Sequence, residues 1–246
     1  MKKTILKSTT LFLIALSSLS QNVNAQGVGT GSIREAINPT SNYYYATFTL
    51  VELDRDRIEG TVYVDKKPQK ANINENQELV PFRYNAFHDM IEVNAPNERT
   101  FSLVKEKGNK ISNKDITYVV YEDLVEKTNR FFKVEMYLDN VTLLTKESVR
   151  LDEAKISSDS YRIDRPAKLK RLKDTFYVSF GDYEAHELPR NKKKFLALFG
   201  NKKDAVKSFI KKNGLNHKKK KDIIHILKYY NSLKEANYRV IIGQKK

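Results

Sequence analysis

The chain of 246 residues has no cysteine. This excludes disulfides, thiolate metal sites, cysteine nucleophiles and a lipid-modified N-terminal cysteine. It also lacks any apolar run approaching the ~20 residues that cross a bilayer, so no transmembrane anchor is expected. Histidine is scarce, with only His88, His186, His217 and His225, and none stands in an HExxH arrangement. Glu184 and His186 share one face of an expected strand, but two donors fall short of a metal site. Asp54, Asp56 and Glu59 begin like a calcium loop, yet a glutamate stands where the sharp turn needs glycine. There is no GxSxG, phosphate-cradling loop or dinucleotide fingerprint. The sequence therefore assigns no catalytic, metal or cofactor-binding residue, no cofactor is expected, and an enzyme would need a noncontiguous site.

Acidic residues are short in one place. From Arg190 to Lys246 eighteen Lys and Arg face only Asp204, Asp222 and Glu235, which accounts for the whole +15 net charge. The preceding residues are neutral, with 27 bases and 27 acids.

At the other end, Lys2, Lys3 and Lys7 precede the apolar run Leu11 to Leu16, and Val23-Asn24-Ala25 places small or aliphatic residues at the −3 and −1 positions. This is the pattern of a secretory signal peptide, residues 1–25, cleaved after Ala25. Residues 26–41, rich in Gly, Ser and Asn, read as a flexible mature N-terminus.

Residues 42–188 read as an antiparallel β domain. Aromatic and β-branched runs recur with polar turns between them: Tyr43–Val51 and Glu59–Val64 across a charged turn, Phe82–Ala86 and Met90–Val93, Phe101–Val104, Ile116–Tyr121, Phe131–Leu138, and Thr175–Phe180 with Tyr183–Leu188 around Gly181-Asp182. Phe132, Val134, Met136 and Leu138 alternate with Lys133 and Glu135, which predicts one apolar strand face. So many strands must form a curved sheet, a sandwich or a partial barrel. The dense charges of 148–174 obscure any period there.

After Pro189 the apolar spacing changes to three and four, and residues 189–246 read as a basic module of about three short helices docked on the sheet. Phe195 and Phe199 mark the first helix, stopped by Gly200 with Asn201 as the next cap. Val206, Phe209 and Ile210 mark the second, ended by Asn213-Gly214-Leu215. Ile223, Ile224, Ile226, Leu227, Tyr230 and Leu233 mark the third. Tyr238–Ile242 suggests a short closing strand or a docked terminus. The fold class is thus α+β.

Lysines gather at the three helix starts: Lys192, Lys193 and Lys194; Lys202 and Lys203; Lys218, Lys219, Lys220 and Lys221. There they oppose the helix dipole, and an anion shared between them and free backbone N–H groups would relieve that opposition. The alternative is a solvated basic surface. Tyr229, Tyr230 and Tyr238 offer stacking surface, with helical spacing placing Tyr230 in the core.

The segment Leu188–Phe195, with Leu198-Phe199-Gly200, Lys207–Asn213 and Tyr229–Leu233, resembles the closing part of uncharacterised secreted proteins of flavobacterial type. In these a strand-rich body with a motif similar to Pro81-Phe82-Arg83-Tyr84-Asn85 comes first. The resemblance implies a place in the cell envelope and no activity. Val206, Ile210, Gly214-Leu215 and Ile224 are also similar to the SAP-type nucleic-acid module, whose second glycine is replaced near Lys219.

The expected function is that of an exported, non-enzymatic binding or structural protein of the cell envelope. It would be periplasmic, outer-membrane associated or extracellular, touching an anionic surface (phospholipid, lipopolysaccharide or acidic polysaccharide) or another envelope protein through its basic helices. Export argues against nucleic acid. A carrier or chaperone for a lipophilic ligand in a curved sheet is the alternative, and an enzyme is a third.

Overall fold

The computed structural model describes residues 34–37, 44–47, 58–74, 76–94, 100–154 and 165–243, with side chains described from 58 to 233. The chain divides into two compact units, Met1–Thr30 and Gly31–Lys246. All described residues belong to the second. The signal-peptide reading and the Asp54–Asp56 turn lie outside the described residues.

The strands are β1 (Arg34–Ile37), β2 (Tyr44–Thr47), β3 (Ile58–Glu59), β4 (Gln69–Ile73), β5 (Leu79–Asn85), β6 (Met90–Asn94), β7 (Thr100–Leu103), β8 (Lys110–Ser112), β9 (Thr117–Asp123), β10 (Thr128–Leu138), β11 (Val141–Lys146), β12 (Val149–Asp152), β13 (Ala167–Arg171), β14 (Thr175–Ser179) and β15 (Glu184–Glu187). Three helices follow: α1 (Lys192–Ala197), α2 (Lys203–Lys212), entered through a 3₁₀ turn at Gly200–Lys202, and α3 (Lys220–Gly243). The fold is α+β, β-rich with C-terminal helices.

Twelve strands form one sheet in the order β1-β2-β7-β6-β5-β4-β8-β9-β10-β11-β14-β15, and its end curls until β15 meets β9. The result is a closed five-stranded barrel, β9-β10-β11-β14-β15. With an odd number of alternating strands the first and last run the same way, and β15 indeed pairs with β9 in parallel. A second sheet of three strands, β12-β13-β3, includes a parallel contact between β13 and β3. Gly60, at φ +100, follows β3 because an added Cβ would lie 2.5 Å from the Leu169 carbonyl oxygen.

Three apolar clusters surround the barrel wall. Val119, Tyr121, Phe132, Leu144, Tyr177 and Ala185 fill its interior. Phe132 packs obliquely on Tyr177 with centroids 4.9 Å apart and edge-on to Tyr121. The opposite sides of β9 and β10 present Tyr118, Val120 and Phe131 to a second cluster built with β4 to β8. Both faces of β9 are therefore covered. Val141, Leu143 and Val178, on the outside of the barrel, receive the helices through Phe195, Phe199, Val206, Ile210, Ile223, Ile226 and Leu227.

Several expectations change. Phe132 and Val134 do not share a face with Met136 and Leu138, because the β10–β11 register shifts between Val134 and Met136. The extra residue, Glu135, turns the strand, so Phe132 and Val134 point into the barrel while Met136 and Leu138 pack under the helices. The segments 43–51 and 59–64 do not form a hairpin; β2 pairs with β1 and β7, and β3 with β13. Arg34–Ile37, expected in a flexible stretch, is strand β1, paired with β2 where the glycine-rich composition has ended. Asn201 does not cap α2, since it lies inside the 3₁₀ turn. Tyr238–Ile242 is not a strand: α3 continues for 24 residues to Gly243, and strong helix formers at 234–236 carry it past the β-branched residues.

Phe132→Ala should lower the unfolding free energy measured in urea by about 3–5 kcal/mol. Tyr137→Ala, at a residue 76% exposed, should change it by no more than about 0.5 kcal/mol. Equal effects would contradict a barrel filled by Phe132.

Candidate functional site

Among its described residues the body has four buried carboxylates, Asp89, Glu92, Asp123 and Glu147, and each is held by a tyrosine hydroxyl and a cation. Tyr84 donates to Asp89 at 2.9 Å, and Lys105 lies 2.9 Å from its other oxygen. Tyr63 donates to Glu92 at 2.7 Å, with Arg83 at 3.7 Å and stacked over the Tyr63 ring. Tyr118 donates to Glu147, whose other oxygen takes Arg171 at 3.0 Å. Tyr177 donates to Asp123 at 3.2 Å beside Lys146 at 3.1 Å, while the N–H groups of Val125 and Glu126 bind its second oxygen. Burial, reinforced by the adjacent carboxylates, pushes the Tyr84, Tyr118 and Tyr177 hydroxyls well above the usual tyrosine range. Burial also pushes Tyr121 up to about 12. These phenols are hydrogen-bond donors, not bases, and both oxygens of each acid are occupied.

Lys146 also bonds Glu126, and Glu126 bonds Arg130, which reaches Asp89. An alternating chain of charge thus runs from the barrel to the β5–β6 turn. Burial alone would raise the Asp123 and Glu126 pKa values, but the Lys146 hydrogen bond and the neighbouring positive charges bring both below the ordinary range. The motif Arg83-Tyr84-Asn85 is part of this scaffold, with Asn85 donating to Glu92 and accepting from the His88 N–H. His88 is half-buried with no partner at Nδ1 among the described residues, and burial lowers its pKa. A recess beside Arg83, Tyr84 and Tyr118 has room for about one water. No group of three or more metal-ligating side chains converges among the described residues.

The helices are different. Of the fourteen Lys and Arg between Arg190 and Leu233, only Lys220 meets an acid among the described residues, Glu135 at 2.5 Å. Glu135, the bulge residue of β10, also accepts from Thr145 at 2.9 Å. Lys220 is therefore a tether between α3 and the barrel, not a free anion ligand. No family model, curated protein or solved structure matches this chain. Its function has to be read from these contacts.

Lys192, Lys193 and Lys194 are exposed at the start of α1, where the Asn191 side chain already accepts the Lys194 N–H at 3.1 Å. Lys218, Lys219 and Lys221 are exposed at the start of α3, and Asn216 accepts the Lys218 N–H at 2.9 Å. Asp222 accepts the Asn216 N–H, a negative charge that eases the first turn of α3. Asn191 caps α1, and Asn216 closes the turn that leads into α3, so neither backbone segment depends on an anion for these N–H groups.

Two of the three clusters come together. His217 Nε2 lies 3.0 Å from the Arg190 carbonyl oxygen and its ring contacts Phe195 at 5.0 Å, which sets the start of α3 against the start of α1. Lys202 and Lys203, half-buried at the far end of α2, lie about 15 Å from Lys212 along that helix. Lys211 and Lys212 take their place, since the short 213–219 connection returns the end of α2 to the start of α3. Gly214, at φ +60, makes that turn, and the Leu215 N–H bonds the Ile210 carbonyl at 3.0 Å. The length of this connection was the available sequence signal for Lys211 and Lys212. Tyr230 is in the core, and Tyr229 stacks on Phe209 at 4.1 Å.

Because the Asp123 and Glu126 pKa values lie below their unfolded values, their stabilisation is complete above the unfolded carboxylate pKa and disappears as pH falls through the folded values. The contribution of these two acids to the urea midpoint should therefore be flat from pH 8 to 6 and fall below about pH 4, while the lowered His88 pKa adds a smaller decline beginning near pH 6.5. Asp123→Asn should cost about 1–3 kcal/mol at neutral pH, because it removes the carboxylate from Lys146, which keeps Glu126, and from the Tyr177 hydroxyl, and should flatten the acid limb. An unchanged acid limb would contradict the role given to Asp123.

Proposed function

We propose that the protein is an exported, non-enzymatic binding protein of the cell envelope, in which the barrel and its attached sheet are a scaffold and the C-terminal helices hold an anionic partner. The observation that carries this reading is the segregation of charge compensation. The buried acids of the body are each matched by a cation, whereas the helices carry fourteen bases and only Lys220 is matched among the described residues. Unmatched charge of one sign attracts a partner of the other over about a Debye length. The export signal in residues 1–25 supports the envelope setting and leaves nucleic acid the less suitable partner.

The carrier reading has less support, since the barrel interior is occupied by Phe132, Tyr177, Tyr121 and Leu144. An enzyme is likewise disfavoured by acids whose oxygens are engaged and by tyrosines held protonated.

The test is salt-dependent retention of the full-length mature protein on a soluble polyanion such as dextran sulfate. Reversing Lys193, Lys211 and Lys219 to glutamate should weaken retention at least about tenfold near 0.1 M salt. Lys170→Glu, on β13, should leave retention unchanged. Equal loss from both variants, or no retention at all, would remove the proposal.

A further inference from the structure

We infer that the anionic partner is a phospholipid bilayer surface, met by the outward ridge of α2 and α3 with the Phe209–Tyr229 pair at its centre; this rests on the anionic-partner reading above. On α3, Lys221, His225, Lys228 and Ser232 are all exposed and recur at steps of four, three and four, a single stripe along the helix. On α2, Lys207, Ser208, Lys211 and Lys212 are exposed. Between these rows Phe209 and Tyr229 stack face to face, 4.1 Å apart and 5° from parallel, and neither is buried. Leu215, Ile224 and Leu233 are also only partly covered. Lys211, Lys212, Lys221 and Lys228 make no ion pair among the described residues, where the acids of these helices are Asp204, exposed, and Asp222, half-buried.

Cations around partly wetted aromatic and aliphatic side chains match the chemistry of an anionic bilayer interface. Lipid phosphates receive the lysines, and the aromatic rings take the boundary between headgroup and acyl chain. A polysaccharide would instead need a continuous row of hydrogen-bonding side chains, and this ridge offers Ser208, His225, the Tyr229 hydroxyl and Ser232 scattered among its lysines. No helix is long and apolar enough among the described residues to cross a membrane, so the contact is with the surface.

The sequence contains no tryptophan, which makes Tyr229→Trp a unique optical probe. The full-length mature variant should co-sediment with phosphatidylglycerol vesicles and not with phosphatidylcholine vesicles, and its emission should shift to the blue on binding. A second variant, Lys212→Gln with Lys221→Gln and Lys228→Gln, should bind phosphatidylglycerol about a hundredfold more weakly, each lysine being worth roughly fivefold near such a surface. Far-UV circular dichroism checks that both variants keep their helices, and the emission of the Tyr229→Trp variant decides the matter if the triple variant does not fold. Retention on dextran sulfate without vesicle binding would overturn the lipid assignment and leave the anionic-partner reading in place. Vesicle binding without a blue shift would overturn the role of the aromatic pair and with it this proposal. Binding to neither would remove both.

Discussion

Burying a carboxylate in a small β protein requires that its charge be matched on the spot, and this constraint organises the body of the protein. Asp89, Glu92, Asp123 and Glu147 are buried, and each is met by one tyrosine hydroxyl and at least one basic side chain. Tyrosine suits the task because its ring contributes to an apolar cluster while its hydroxyl reaches the acid at the edge. Tyr177 belongs to the barrel interior and Tyr84 and Tyr118 to the adjoining cluster, so the same side chains fill the cores and neutralise their rims. The link through Lys146, Glu126 and Arg130 couples the two regions.

With the body's buried acids matched internally, the helices stand out by their excess of bases. Their docking face is apolar and ordinary, with Phe195, Phe199, Ile210, Ile226 and Leu227 against Val141, Leu143 and Val178. Their outward face is basic and, Lys220 apart, without ion pairs among the described residues. Glu135 joins the two parts: the bulge that sends Phe132 inward and Met136 outward also leaves a carboxylate positioned for Lys220. One inserted residue thus shapes the barrel and fixes the helical face beside it.

Much of the local structure was legible in the sequence. The hairpins at Phe82–Val93 and Thr175–Leu188 and the end of α2 at Asn213-Gly214-Leu215 depend on nearby residues and turn chemistry, and they form as the patterns predict. What escaped depends on partners far away in the chain. Tyr177 and Asp123 are 54 residues apart, and Lys168 and Glu59 are 109 apart. The Glu135 bulge leaves no mark in an alternating pattern, because the alternation of Phe132 to Leu138 is the same with or without it. The lysine clusters were visible as composition, but their grouping was not. That Lys202–Lys203 lie apart while Lys211 and Lys212 join the start of α3 follows from helix lengths and from the His217–Arg190 contact.

The central claim is that a scaffold whose buried acids are paired internally presents a basic helical face to an anionic partner. Amide hydrogen exchange of the full-length protein with and without a soluble polyanion addresses it most directly. Added protection confined to 190–194 and 207–228, with β9, β10 and β14 unchanged, is the result expected. Protection appearing in the barrel strands while the helices exchange as before would contradict it.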